Sequence, residues 1–338
     1  MADILCTLAL PDPFPARVSE AATLRVLGHL PTHDELCAEL RTHPVDVLCP
    51  QFGDRIDGAV LDAASPRLRS VCVYGVGYDN VDVVAATERG VSVGNTPGVL
   101  TDATADLTFA LLLAAARRIV AGDMTMRSGE FPGWTPDYLL GLELRGSLLG
   151  IVGFGRIGQA VARRALAFGM RIGAYDSVGV RVPDDLATRV RVFDDLQSLL
   201  AESDVVSLHT PLTESTYHLI DERALRRMKP TSVLVNSSRG PVIDEVALVR
   251  ALREGWIAAC GLDVYEDEPR MAPGLAACRT AVLAPHIGSA TVTTRAAMAE
   301  LTAANALAAL AGELPPHCVN PEVRSLSPGQ QQSRDQRS

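Results

Sequence analysis

Three residues far apart in the chain, Arg239, Glu268 and His286, carry side chains that could together run a proton-coupled reduction. Reducing a 2-oxo acid requires a proton for the developing alkoxide, and histidine is the usual donor near neutral pH. A carboxylate beside that histidine orients the ring and keeps the imidazolium populated. An arginine offers a planar fork that can grip a carboxylate while polarising the neighbouring keto oxygen. His286 is therefore the candidate proton donor, Glu268 its partner and Arg239 the clamp. Each signal is weak by itself, because a single Arg or Glu is usually a solvated charge and a single His is more often structural. Glu266 and Asp267 compete with Glu268 for the carboxylate role.

Such a reaction needs a hydride carrier, and Gly153-Phe154-Gly155-Arg156-Ile157-Gly158 has the spacing of a dinucleotide-binding loop. The first glycine permits a tight turn, and the second lets a pyrophosphate approach the backbone. The third lets helix and strand pack closely, while the helix N-terminus favours the phosphate charge. Glycine-rich turns also arise for purely structural reasons, so context decides. Here an apolar strand precedes the loop and a helical stretch follows it. Asp176 ends the next strand, eighteen residues past Gly158. A carboxylate there can accept both ribose hydroxyls and repels a 2′-phosphate, which favours NAD, with NADH preferred over NADPH. His209, Thr210, Pro211, Ser237, Ser238, Asp263 and Gly288 fall at or just past later strand ends, where α/β sheets bind ligands, and complete the candidate coenzyme set.

The elements that must position these residues follow from the hydrophobic pattern. From residue 148 onward, short β-rich runs (148–152, 171–175, 205–208, 232–236, 257–264 and 281–284) alternate with helical stretches. That pattern predicts a parallel sheet covered by helices. A second α/β region precedes it, with runs at 4–10, 45–49, 68–74 and 91–93. Between them, residues 102–127 read as one helix, apolar on nearly every face over 107–114. Such a helix is either a connector packed between domains or subunits, or an ordinary core helix. Residues 293–311 read as a further helix, and the polar tail 325–338 reads as disordered.

Composition narrows the partners. A formal charge of -9 argues against nucleic acid and anionic membranes, which recruit Lys and Arg. Lys229 is the single lysine, and its context fits neither a Schiff base nor a phosphate-loop lysine. Seven scattered cysteines without a CxxC pair read as reduced thiols in a cytoplasmic protein, with no metal site. No run reaches membrane-spanning length, and the first ten residues lack a signal peptide's basic region.

Taken together, the motifs resemble the D-isomer-specific 2-hydroxyacid dehydrogenase family from about residue 68 to 323. They are residues 76–82 (VGYDNVD), the glycine loop, 236–240 (NSSRG), 261–264 (GLDV) and 285–290 (PHIGSA). The 29 residues from Arg239 to Glu268, and 18 more to His286, match the family's Arg–Glu–His set, which places the carboxylate at Glu268. The resemblance implies two Rossmann-like, doubly wound parallel-sheet domains with an active-site cleft between them, and a homodimer formed through the coenzyme domain. It implies that backbone N–H groups of Val76 and Gly77 hold the substrate carboxylate, and that Asp263 bonds the nicotinamide carboxamide. The family resemblance further implies a substrate-binding domain from 1–100 with 287–324 and a dinucleotide-binding one over 101–286. Residues 95–106 are similar to the glyoxylate and hydroxypyruvate reductase branch, several members of which carry Ser-Arg at Asp176-Ser177 and use NADP. Residues 127–134 also resemble phosphite dehydrogenases, but the lysine those carry near Gly75-Val76-Gly77 is missing here. Oxidation of D-3-phosphoglycerate stays open, and so does a corepressor-like NAD-sensing role.

Overall fold

The structure is a computed structural model that describes residues 2–325. The tail expected over 325–338 lies, apart from Ser325, outside the described residues. The chain forms two compact units, one from 1–100 with 291 onward, the other contiguous over 101–290. Residues 287–290 fall in the second unit because the backbone after His286 is bonded to Asp263.

The first unit holds a parallel sheet of β1 (Ala2–Cys6), β2 (Ala22–Val26), β3 (Val47–Cys49), β4 (Ser70–Cys72) and β5 (Ser92–Gly94). Their order is β2-β1-β3-β4-β5, so the winding reverses between β1 and β3. Every residue of β3, β4 and β5 is buried, as expected for parallel strands covered on both faces. The chain's far end completes the unit. The fully buried amides of Asn305 and Asn320 bond the backbone of Asn95 and of Val91 and Val93, so neither end of that polar seam is left dry.

The second unit carries β6 (Leu148–Val152), β7 (Arg171–Tyr175), β8 (Val190–Val192), β9 (Val205–Leu208), β10 (Val233–Asn236), β11 (Ala259–Leu262) and β12 (Ala281–Leu283). Their order, β12-β11-β10-β9-β6-β7-β8, is that of a doubly wound dinucleotide fold with its reversal between β6 and β9. Seven strands stand where six are expected. The additional β8 is a half-exposed edge strand with Arg191 at its centre, too polar to declare itself. The strand β2 escapes notice for the same reason.

The helix expected over 102–127 is two helices, α1 (Thr101–Ala116) and α2 (Ile119–Ser128). Arg118 between them takes a left-handed φ of 57°. The returning chain ends α1, because the N–H of Leu142 donates to the Ala116 carbonyl (2.8 Å) that the helix would otherwise use. Phe109, Leu111, Leu112 and Ala115 of α1 join the core beneath β6, β10 and β11, so this face is that of a core helix. Two further helices, α3 (Arg156–Ala167) and α4 (Glu245–Glu254), follow the glycine loop and the Arg239 segment.

Candidate active site

The strand β6 delivers the chain to Gly153, whose φ of 87° makes the turn that side chains resist. A Cβ on Gly153 would meet the His209 carbonyl carbon at 2.7 Å, and one on Gly158 the Gly153 oxygen at 2.4 Å. The loop, the start of α3 and the end of β9 are therefore pressed together at the sheet's reversal point. Gly155 and Arg156 face outward, and the space where a Gly155 Cβ would sit is open. Gly155 is also the N-cap of α3 and supplies no side-chain cap, so the helix's first N–H groups have no side-chain acceptor there.

Asp176, just past β7, does two jobs in the geometry. Its Oδ2 accepts the Phe154 N–H (2.9 Å) inside the glycine loop, and its Oδ1 accepts the Val178 N–H (3.2 Å). His209 bonds Ser207 through Nε2 (2.8 Å), and close protein surroundings push its pKa down to about 3. The ring is therefore neutral near pH 7. Thr210 beside it has a buried hydroxyl with no protein partner.

At the end of β10, Asn236 braces the arginine segment. Its Oδ1 accepts the Ser238 N–H and hydroxyl, while its Nδ2 donates to the Arg239 carbonyl (2.8 Å). Ser237 is held by Thr108 of α1, with the two hydroxyls 2.6 Å apart. The next residue, Gly240, runs directly under Tyr265 and Glu266. A Cβ there would lie 1.8 Å from the Tyr265 carbonyl, so the crossing requires glycine. This crossing fixes the segment of Arg239 against the loop of Glu268.

His286 Nδ1 and Glu268 Oε2 are 2.8 Å apart, and the two side chains keep 29% and 34% of their surface accessible. Burial alone would raise the Glu268 carboxyl. The hydrogen bond and charge of His286, the Tyr265 N–H and the charge of Arg239 outweigh it and hold the carboxyl below its ordinary value. His286 adopts a left-handed φ of 54°, costly for a residue with a Cβ. Asp263 enforces that turn: its carbonyl accepts the His286 N–H, and its carboxylate accepts those of Ile287 (2.8 Å) and Gly288 (2.7 Å). Arg239, Glu268 and His286 are thus brought to one edge of the second unit.

Val76 and Gly77 belong to the first unit, past β4. Asn95 Nδ2 donates to the Val76 carbonyl (2.8 Å), and the Thr96 N–H to that of Gly75 (2.8 Å). The Phe52 ring fills the space a Gly75 side chain would take. Gln51 Nε2, Asp54 Oδ1 and Asn80 Oδ1, beside this loop, are buried without a protein partner.

The sequence profile described as "D-isomer specific 2-hydroxyacid dehydrogenase, NAD binding domain" matches residues 109–288. Over 292 residues the chain is 52% identical to the glyoxylate reductase of Thermococcus litoralis, covering 85% of this chain and 87% of that one. The chain belongs to the D-isomer specific 2-hydroxyacid dehydrogenase family. It is an NAD(P)-dependent oxidoreductase by that membership. The glyoxylate reductase of Korarchaeum cryptofilum is 53% identical, over 85% of this chain and 86% of its own. Among solved structures, an NADPH-dependent glyoxylate/hydroxypyruvate reductase from Sinorhizobium meliloti, in complex with NADP and malonate, superposes with a TM-score of 0.83. It is 33% identical, and 94% of this chain and 96% of that one are covered.

For a 2-hydroxyacid dehydrogenase, the second unit's residues fit a dinucleotide: an outward-facing Gly155, an uncapped helix start, a carboxylate past β7 and the buried Thr210 hydroxyl. Several dehydrogenase residues escaped the sequence reading. Thr108 shows only as a polar residue four after Thr104 in an apolar helix. Tyr265 holds Glu268 through its N–H (3.0 Å) and the Ala284 carbonyl through its hydroxyl (2.9 Å), and no sequence signal marks it. Glu266 bonds His218 (2.7 Å), whereas Glu268 bonds His286 (2.8 Å). Lys229 is ion-paired with Asp204 at 2.6 Å. All seven cysteines are free thiols. No helix among the described residues is long and apolar enough to cross a membrane.

Proposed function

We propose that this protein reduces a small 2-oxo acid, glyoxylate or hydroxypyruvate, to the 2-hydroxy acid, of D configuration where the product is chiral, with NADH. The observation that carries the reading is the His286–Glu268 pair at 2.8 Å, beside an Arg239 fixed by the Gly240 crossing. Relatives named glyoxylate reductase, identical at half their positions, support the substrate class.

Bound nicotinamide would supply the hydride. Arg239 holds the substrate carboxylate, its guanidinium also drawing electron density from the keto oxygen, and the family resemblance adds the N–H groups of Val76 and Gly77 to the substrate-binding set. His286 presents Nε2, the nitrogen not engaged by Glu268, and hands its proton to the alkoxide. Glu268 keeps the ring in the required tautomer and supports its charged form. Asp263, which fixes the left-handed His286, is the residue that would bond the nicotinamide carboxamide. The glycine loop with Arg156 and Ile157, His209, Thr210, Pro211, Ser237, Ser238 and Gly288 line the coenzyme site. Asp176 makes NADH the preferred form, because its charge opposes a 2′-phosphate.

Exposed apolar side chains along one stretch, Ile119, Met124, Met126, Phe131, Trp134 and Leu140, support a homodimer built on the second unit. The free thiols support a cytoplasmic setting. An initial-rate panel tests the function. Glyoxylate and hydroxypyruvate should turn over faster with NADH than with NADPH. Faster oxidation of D-3-phosphoglycerate or phosphite with NAD+ would replace the substrate, and no turnover of any 2-oxo acid would leave an NAD-binding protein.

A further inference from the structure

A second histidine–carboxylate pair lies in the same unit, two residues along the loop from Glu268. His218 Nε2 and Glu266 Oε1 are 2.7 Å apart, with 30% and 27% of the side-chain surfaces accessible. Its geometry is unusual for a surface ion pair. His218 has a left-handed φ of 49°, a conformation that persists in a residue with a Cβ only where its surroundings over-determine it. The Tyr217 ring stacks on the imidazole with centroids 4.0 Å apart, and its hydroxyl reaches the same Glu266 oxygen at 3.4 Å. The other Glu266 oxygen accepts the first N–H of α4, from Glu245, at 3.3 Å.

What His218 joins gives the pair its meaning. Its backbone N–H donates to the Pro241 carbonyl (2.8 Å), two residues past Arg239. Its ring holds Glu266, two residues before Glu268. These are the two chain segments that cross at Gly240, where a Cβ would lie 1.8 Å from the Tyr265 carbonyl and 2.5 Å from the Glu266 nitrogen. Tyr265, at that same crossing, donates its N–H to Glu268 Oε1 (3.0 Å). A shift of the loop at 265–266 is therefore passed to the Glu268 carboxylate through one hydrogen bond.

We infer that His218 and Glu266 are positioning residues for the reduction, a brace that holds the Arg239 segment and the Glu268 loop in register across Gly240. The pair touches neither the glycine loop nor Asp176 in any bond described above, so its loss acts on turnover more than on coenzyme binding. Misplacement by an ångström of a group near the chemistry is enough to cost tenfold or more in rate. This inference rests on the proposed reductase reading.

The test compares wild type, His218→Ala, His218→Gln and Glu266→Gln with glyoxylate and NADH, measuring kcat, KM, NADH affinity and the unfolding midpoint. A glutamine amide can reach Glu266 as Nε2 of the imidazole does. His218→Ala should lower kcat about tenfold with NADH affinity unchanged, and His218→Gln should restore kcat to within about threefold of wild type. Should the alanine variant fail to fold, Glu266→Gln carries the comparison, since it weakens the charge-assisted bond while keeping the side chain's shape; it should lower kcat severalfold. An unchanged kcat in the folded variants would overturn the brace alone. So would a loss that follows NADH affinity, or one that the glutamine does not rescue. No turnover by the wild type would overturn the reductase reading and the brace together.

Discussion

The carboxylate of Asp263 receives the N–H groups of both Ile287 and Gly288, and so the imidazole of His286 is aimed by a residue 23 positions earlier in the chain. The ring's direction is set by backbone geometry before Glu268 touches it. Replacing His286 by Asn keeps a similar volume and removes the proton. NADH affinity should stay within about twofold while the reduction rate falls at least about a hundredfold, the scale of a lost general acid. Single-turnover rates and fluorescence titration with NADH separate the two; a near-normal rate would take the role away from His286.

The Glu268 carboxyl, held below its ordinary value, is ionised throughout the neutral range. A depressed carboxyl contributes stability above the ordinary carboxylate range and loses it as pH falls through the lowered value. Glu268→Gln should therefore cost stability at pH 7 but not below the ordinary range, as read by unfolding midpoints across pH.

Arg239→Lys should raise KM for the 2-oxo acid and lower kcat together, each by about tenfold or more, since an ammonium cannot copy the fork. Steady-state kinetics with glyoxylate decide it, and unchanged constants would count against the clamp.

Asp176 both faces the proposed ribose site and ties down the Phe154 N–H, so Asp176→Ala changes charge and loop at once. Asp176→Asn keeps an acceptor for that N–H and removes the charge alone. The asparagine variant should shift the NADPH-to-NADH ratio of kcat/KM upward with little loss of loop order. An unmoved ratio would remove Asp176 from coenzyme choice.

Light scattering should give a dimer for the wild type, and Met124→Glu combined with Met126→Glu should give monomers. Both methionines are more than half exposed (56% and 62%) and belong to α2, away from the buried core. A wild-type monomer would refute the association.

What the sequence made legible was whatever a local pattern encodes. The glycine loop, Asp176 and the six principal strands of the second unit could be read because turn chemistry and β-rich runs are local. The edge strands β2 and β8 were not, because exposure replaces the apolar signal with Arg25 and Arg191. The break between α1 and α2 was hidden because its cause, the Ala116 carbonyl taken by Leu142, lies 26 residues downstream. In the site, Arg239, Glu268 and His286 were singled out by their chemistry and by the family's Arg–Glu–His set, and the structure adds the contact of His286 with Glu268. Tyr265 and His218 were missed because their roles exist only once the Gly240 crossing has formed.

The seam of Asn305 and Asn320 carries a consequence for how the protein is made. A ribosome releases residues 1–100 long before the segment that completes their unit, and the contiguous 101–290 can close in the meantime. The first strands must therefore wait, part-finished, for a partner about 200 residues behind them, and such long-range closure is slow. Loss of the segment that carries Asn305 and Asn320 would strike the residues synthesised first.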